Sequence, residues 1–393
     1  MNIGLVVPGF SADAADWCIP ALRHLVRSLA PTDHVRVVAV RYPYRRARYA
    51  IDGADVIAVG GADARGPATL ELWRTVFGLL RAEHARRPFD VLHAFWATES
   101  GLHAAIAGRV LGVPTLVSLA GGELVGLRDI GYGDQRVAWE RMKVAASLRL
   151  ATAVSAGSEL LIELARRRVP ARRLRRASLG VDLNLFRADQ RAPGDPGNRI
   201  VHVGALTPVK DQALLLRALA ELHHSGRRPT LDIVGDGPLR SGLMELADRL
   251  GVGESVCFRG AIDHAALPGV YREASVCVVS SRHEAQCMVA LEATACGMAL
   301  VGTRVGVVPE LTCAVAPVGD YSTLAHQLAA VLDGASPSID RELVEREFSL
   351  PRSAERFRAL YSSIAGNSAV EEPVHETNER DHHQQSNDPR WAG

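Results

Sequence analysis

Lysine is nearly missing from this chain of 393 residues: of 45 basic side chains, only Lys143 and Lys210 are lysines. A sequence so biased towards arginine has reason to keep a compact ammonium where a guanidinium fork would serve less well. Long apolar runs are missing too, and none approaches the ~18 residues of a membrane-spanning helix. The opening run Asn2-Ile3-Gly4-Leu5-Val6-Val7 lacks a basic flank and a long apolar core, so it predicts a buried strand in place of a secretory signal. Cysteine is sparse. Cys18, Cys257, Cys277, Cys287, Cys296 and Cys313 show no Cys-x-x-Cys spacing, which argues against zinc and disulfides and predicts reduced core thiols of a cytoplasmic protein. Aromatics make up only 5% and the net charge is +1, so no nucleic-acid partner is expected.

What is present is an alternation of short apolar runs with stretches of helical period. Ile3–Val7 and Val35–Val40 read as strands, and Cys18, Leu22, Leu25, Val26 and Leu29 share a helical face between them. Asp90–His93, Thr115–Ser118 and Thr152–Ser155 continue the pattern, with a helix near Gly101–Leu111 and Ser158 placed to cap another. Residues 187–199 are rich in Pro, Gly and Asp and have no apolar period; the alternation restarts after them. Ile200–Val203, Leu231–Val234, Val256–Phe258, Val276–Val279 and Leu300–Val301 are the strands of a second unit. Helices near Arg341–Glu347 and Pro351–Ile364 follow, and residues 367–393 are polar enough to predict a disordered tail. Strands alternating with helices predict two α/β domains, each a doubly wound parallel sheet. The two would face a common cleft at the carboxyl ends of their strands.

Chemistry is densest after Val276–Val279. Ser280-Ser281-Arg282-His283-Glu284 is followed by Glu292, with a helix start near Cys287 and Met288 between the two carboxylates. This spacing puts Glu284 in the loop at the cleft mouth and Glu292 two turns along the helix. The N–H groups at the helix start suit a phosphate. The residues alone leave a second reading equally open, in which Glu284 caps the helix and Glu292 is solvated. A nicotinamide dehydrogenase is disfavoured, because Gly235-Asp236-Gly237-Pro238-Leu239-Arg240 puts Arg240 at the third glycine of the dinucleotide fingerprint.

The same stretch resembles the retaining glycosyltransferases of family 4, whose fold is GT-B. Their C-terminal pattern appears here as Ser281-Arg282-His283-Glu284, Glu292-Ala293-Thr294-Ala295-Cys296-Gly297 and Gly306-Val307-Val308-Pro309-Glu310. Gly180-Val181-Asp182 with Phe186, Val203-Gly204-Ala205-Leu206 with Lys210, and Phe258-Arg259-Gly260 agree in order. The resemblance implies an enzyme that moves a sugar from a nucleotide-diphosphate donor to an acceptor hydroxyl with retention, using neither metal nor cofactor. It assigns the acceptor to residues 1–187 and the donor to 199–349, with a helix near 350–366 packing back on the first domain. Lys210 matches the lysine on the donor diphosphate, Glu284 the carboxylate on the transferred sugar, and Glu292 the one on the ribose. Gly9, Cys287 and Met288 complete the donor-binding set, while Glu123 and His93 fall where sugar or acceptor contacts are expected.

Six positions depart from the family pattern: Ala285 and Cys287 replace glycines, Met298 a proline, Ala205 an arginine, and Phe95 and Ala120 histidines. They keep two alternatives in view, a catalytically silent nucleotide-binding or partner subunit and a nucleotide-sugar epimerase. Charge is also uneven, since residues 1–190 carry 26 basic and 18 acidic side chains, a net +8. That surface is expected either to be solvated or to meet an acceptor phosphate or an anionic membrane, as a peripheral protein of the inner face would.

Overall fold

The computed structural model describes residues 1–366 apart from 63, 65, 189–197 and 336–338. Most of the expected linker 187–199, and the whole predicted tail, lie outside the described residues. Strands β1 (Asn2–Gly9), β2 (His34–Tyr42), β3 (Ala47–Ile51), β4 (Ala54–Ala58), β5 (Val91–Phe95), β6 (Thr115–Leu119), β7 (Ala153–Ala156) and β8 (Leu174–Arg176) form one sheet. Its order is β3-β4-β2-β1-β5-β6-β7-β8, parallel except where β3 meets β4. Strands β9 (Arg199–Val203), β10 (Thr230–Val234), β11 (Val256–Gly260), β12 (Val276–Val279), β13 (Ala299–Thr303) and β14 (Val315–Ala316) form a second, all-parallel sheet in the order β11-β10-β9-β12-β13-β14. In each sheet the order reverses beside the first strand, between β1 and β5 or between β9 and β12. A doubly wound sheet opens its ligand crevice at that switch point.

Both faces of a parallel sheet are covered, which is why these strands read as near-continuous apolar runs. Ile3, Leu5 and Val7 of β1 pack with helix Pro20–Leu29 and with Phe357 and Tyr361 of the last described helix, Leu350–Ile364. Val6 points the other way, into a cluster with Leu72, Val76 and Leu80 of helix Pro67–Arg86. The second sheet divides likewise: Ile200 and Val278 face helix Gln212–His224, whereas Val201 and Cys277 face helices Met288–Ala295 and Arg341–Phe348. Ser158 does cap the helix Glu159–Arg166, accepting from Leu161 N, a bond of the kind that contributes about 1 kcal/mol.

Two features depart from the expectations. β3 and β4 form a hairpin at the first sheet's edge, closed by Asp52 and Gly53 at φ 50° and 83°. Such a two-residue turn matches the twist of paired strands. The cysteines are core thiols only in part. Cys277, Cys287 and Cys296 are buried, but Cys18, Cys257 and Cys313 are exposed. Cys257 sits on β11, an edge strand that is covered less completely. Among the described residues no helix is long and apolar enough to cross a membrane.

Candidate active site

Loops at the carboxyl ends of the second sheet carry the residues singled out by the sequence. Lys210 ends a short turn, Pro208–Lys210, after β9, and Asp211 then caps helix Gln212–His224 through Leu214 N. Glu284 stands in the loop after β12. The pair meets across 74 positions of sequence: Lys210 Nζ lies 2.5 Å from Glu284 Oε1, which also accepts from Ser281 Oγ at 2.6 Å. Both side chains are largely shielded, 25% and 13% exposed. Burial opposes the Lys210 charge, but Glu284, with smaller contributions from Cys287 and Tyr132, outweighs it and holds the ammonium above its ordinary pKa.

Helix Met288–Ala295 begins beside this pair. Its first cap residue, Cys287, has φ 77°, in the left-handed region that favours glycine, so a side chain there costs about 1–2 kcal/mol. Trp96, just past β5, has φ 66° and carries the same kind of strain. Backbone strain thus gathers at the carboxyl edges, where functional loops tend to hold it. Glu292 is 5% exposed rather than solvated, and it accepts from His264 Nε2 and Tyr271 Oη at 3.0 Å each. Trp17 and His24 of the first domain close over His264, with ring centroids 6.1 and 5.8 Å away.

The near-fingerprint glycines serve packing. A Cβ on Gly235 would lie 2.1 Å from the Gly204 carbonyl oxygen, and one on Gly237 would lie 2.6 Å from that of Leu206. They let the loops after β9 and β10 touch.

The first domain contributes differently. Glu123 is fully buried, accepting from the backbone N–H groups of Ala97, Ala120 and Gly121 at 3.3, 3.0 and 2.7 Å. It ties the loops after β5 and β6 together, and burial raises its pKa against the pull of those donors. His93 lies inside the core, hydrogen-bonded through Nδ1 to Tyr361 Oη and through Nε2 to Ser118 Oγ, both at 2.8 Å. Burial pushes its pKa down to about 3. Both residues are fully buried, and their polar atoms are bonded within the protein. Gly9 ends β1 tightly packed, with Tyr42 Cβ 3.1 Å from where its own Cβ would sit.

Residues for which sequence spacing indicated no partner complete the cleft. Tyr132 lies near enough to Glu284 for that charge, after burial, to help push the phenol up to about 12. Arg282 pairs with Asp129 across the cleft, and His283 donates from Nε2 to the Gly121 carbonyl at 3.1 Å. Gln286 clamps Leu179, accepting from its N–H at 2.9 Å and donating to its carbonyl at 2.7 Å. Their signal was weak because each partner comes from a distant loop. At the position of the departed arginine, the Ala205 carbonyl accepts from Gln212 Nε2 at 3.0 Å. Among the described residues no group of three or more His, Cys, Asp or Glu is arranged to hold a metal ion.

Two doubly wound sheets meeting across a cleft define a fold, and known proteins share that fold. Sucrose-phosphate synthase of Thermosynechococcus elongatus matches with a TM-score of 0.74 at 24% identity, covering 94% of this chain and 100% of that one. Anabaena HepE, solved in complex with UDP, matches at 0.69 and 18%, covering 92% and 100%. The fold is GT-B. Residues 19–180 match the family described as glycosyl transferase 4-like domain, and residues 186–335 the one described as glycosyl transferases group 1. D-inositol 3-phosphate glycosyltransferase of Saccharomonospora viridis is 32% identical over 296 residues, 68% of each chain. Its namesake from Frankia alni is 35% identical over 271 residues, 60% of this chain and 64% of that protein, so this chain spans a little under two thirds of that relative's length. The chain belongs to the group 1 glycosyltransferases.

Proposed function

We propose that this protein transfers a sugar, with retention, from a nucleotide-diphosphate sugar to an acceptor hydroxyl. The Lys210–Glu284 pair beside the start of helix Met288–Ala295 carries the reading. Without donor, each charge answers the other. A bound donor would draw Lys210 to the diphosphate and leave Glu284 to accept from a sugar hydroxyl. Glu292, held by His264 and Tyr271, keeps lone pairs for ribose hydroxyls. As the anomeric C–O bond breaks, its electron pair passes to the diphosphate oxygen. Lys210 and the helix N–H groups stabilise that growing charge without calling on a metal. Retention puts the acceptor on the same face as the leaving oxygen, which is then the nearest base for the hydroxyl proton. UDP and UDP-glucose bound to HepE support a nucleotide-sugar donor. The names of the relatives favour a phosphorylated polyol as the first acceptor to try.

Thermal-shift measurements with UDP-, GDP-, ADP- and dTDP-sugars test this donor site. Stabilisation by at least one of them, lost in Lys210→Ala and Glu292→Ala, is expected; no stabilisation by any would overturn the assignment. Ala205, which brings no charge to the cleft, favours one other reading, a nucleotide-binding subunit without turnover. Stabilisation without sugar transfer to any acceptor would select it.

A further inference from the structure

A second built cavity lies in the first domain, away from the cleft. It has a volume of about 460 Å³ and opens between the β2–β4–β3 edge and the end of helix Pro67–Arg86. Arg36, which lines it, pairs with Gly4 near the start of β1 and with Asp55 on β4. The cavity therefore sits towards the amino ends of these strands, opposite the edge where Gly9 and the catalytic loops lie.

Its lining is cationic beyond what its own acids answer. Arg36, Arg48, Arg86 and Arg87 face only Glu83 and Asp55. Glu83, itself buried, is shared by Arg36, Arg48 and Arg86 at 3.7, 2.7 and 3.4 Å. No acid pairs with the Arg87 guanidinium among the described residues. Arg36 is only 3% exposed and donates to the carbonyls of Glu83 and Arg87, yet its buried Nε has no hydrogen-bond partner. His34, at the rim, is held below its ordinary pKa by burial and then by Arg87 and Arg36, although Asp55 pulls the other way. One shared carboxylate cannot neutralise three guanidinium groups, and the surplus is positive.

We propose that this cavity binds a phosphate group, carried by a small phosphorylated molecule or by a lipid headgroup. Guanidinium forks match phosphate oxygens bidentately. Arg48 and Arg86 are 55% and 71% exposed, so their bonds to Glu83 are of the solvent-screened kind that contributes little. Both can swing to a ligand while the buried Arg36 stays with Glu83. The cavity volume also leaves room for a small polar body behind the phosphate.

The test is calorimetric titration of the full chain with inorganic phosphate and glycerol 3-phosphate. Flotation with vesicles of phosphatidylcholine, with and without phosphatidic acid, provides the lipid arm. Saturable binding is expected to weaken at least tenfold in Arg48→Ala/Arg86→Ala, a variant of exposed side chains whose unfolding midpoint confirms folding. It should persist in Lys210→Ala, which separates this cavity from the donor site. Flotation that needs phosphatidic acid and disappears in the double variant, without glycerol 3-phosphate binding, would support the lipid source. Absence of binding in both arms overturns the proposal, as does binding that survives the double variant or is lost in Lys210→Ala.

Discussion

In the C-terminal domain, Glu284 and Glu292 accept from side chains, namely Lys210, Ser281, His264 and Tyr271. In the N-terminal domain, Glu123 accepts from three backbone N–H groups, and His93 is locked between Tyr361 and Ser118. The bonds from the part-exposed Lys210 and His264 can be exchanged for bonds to a ligand by rotating a side chain, whereas Tyr271 is fully buried and stays with Glu292. Those of the N-terminal domain cannot be released without moving the loops after β5 and β6 or the helix Leu350–Ile364. Burial thus accompanies bonds of opposite kinds, complete for Glu123 and His93 and only partial for Glu284. A buried polar residue at a cleft is a ligand candidate when its partners can turn away from it, and a fastener when they are main chain or core.

The sharpest way to break this contrast is to remove the exchangeable pair. Lys210→Ala and Glu284→Ala should each lower kcat by about 10²–10³, the usual loss when one group that stabilises developing charge is deleted. Steady-state transfer assays measure it, and the unfolding midpoint should move little by comparison. Acid should reveal the fasteners next. His93 has its pKa lowered from 6.5 to about 3, so between those values the unfolded chain binds the extra proton and stability falls as pH falls. The slope is at most about 1.4 kcal/mol per pH unit for one proton, and it should shrink in His93→Gln when unfolding is followed from pH 7 to pH 3. In the other domain, buried His202, lowered to about 4, should stop contributing sooner.

His264→Ala sharpens the comparison inside the C-terminal domain. Loss of one donor to Glu292 should raise the donor KM about tenfold, equivalent to 1.4 kcal/mol, and change kcat less; equal loss in both would place His264 elsewhere in the reaction. Tyr361→Phe removes a single core hydrogen bond, so about 1 kcal/mol of stability should go, read by denaturant unfolding, with kcat unchanged. The smallest effect should come from Arg282→Ala. Its partner Asp129 is 61% exposed, so the pair is screened by solvent and the unfolding midpoint in denaturant should hardly move.

The strands that read most clearly were those buried on both faces, such as β1, β5 and β12, because a continuous apolar run is a local signal. The edge hairpin was harder. Asp52-Gly53 is a strong turn pair, but Arg45, Arg46 and Arg48 around it mask the alternation of β3 and make the segment look like a solvated basic loop. Glu284 and Lys210 were legible because motif order survives in the chain. Tyr132 and His264 were not, since nothing near them in sequence distinguishes a cleft aromatic from a core one. Glu123 and His93 show the same limit: each follows or ends a strand, as a ligand residue would, and only packing shows that backbone and core hold them.

The sequence by itself determined the two-domain alternation, the cleft at the carboxyl ends and the family, because apolar period and motif spacing are written along the chain. The tertiary structure alone decided which charges meet. Lys210 reaches Glu284 across 74 residues, His264 reaches Glu292 across 28, and Arg36 shares Glu83 with Arg48 across the domain edge. Such pairings depend on how strands order and helices pack, and that is settled by burying apolar faces far apart in sequence rather than by any neighbour along the chain.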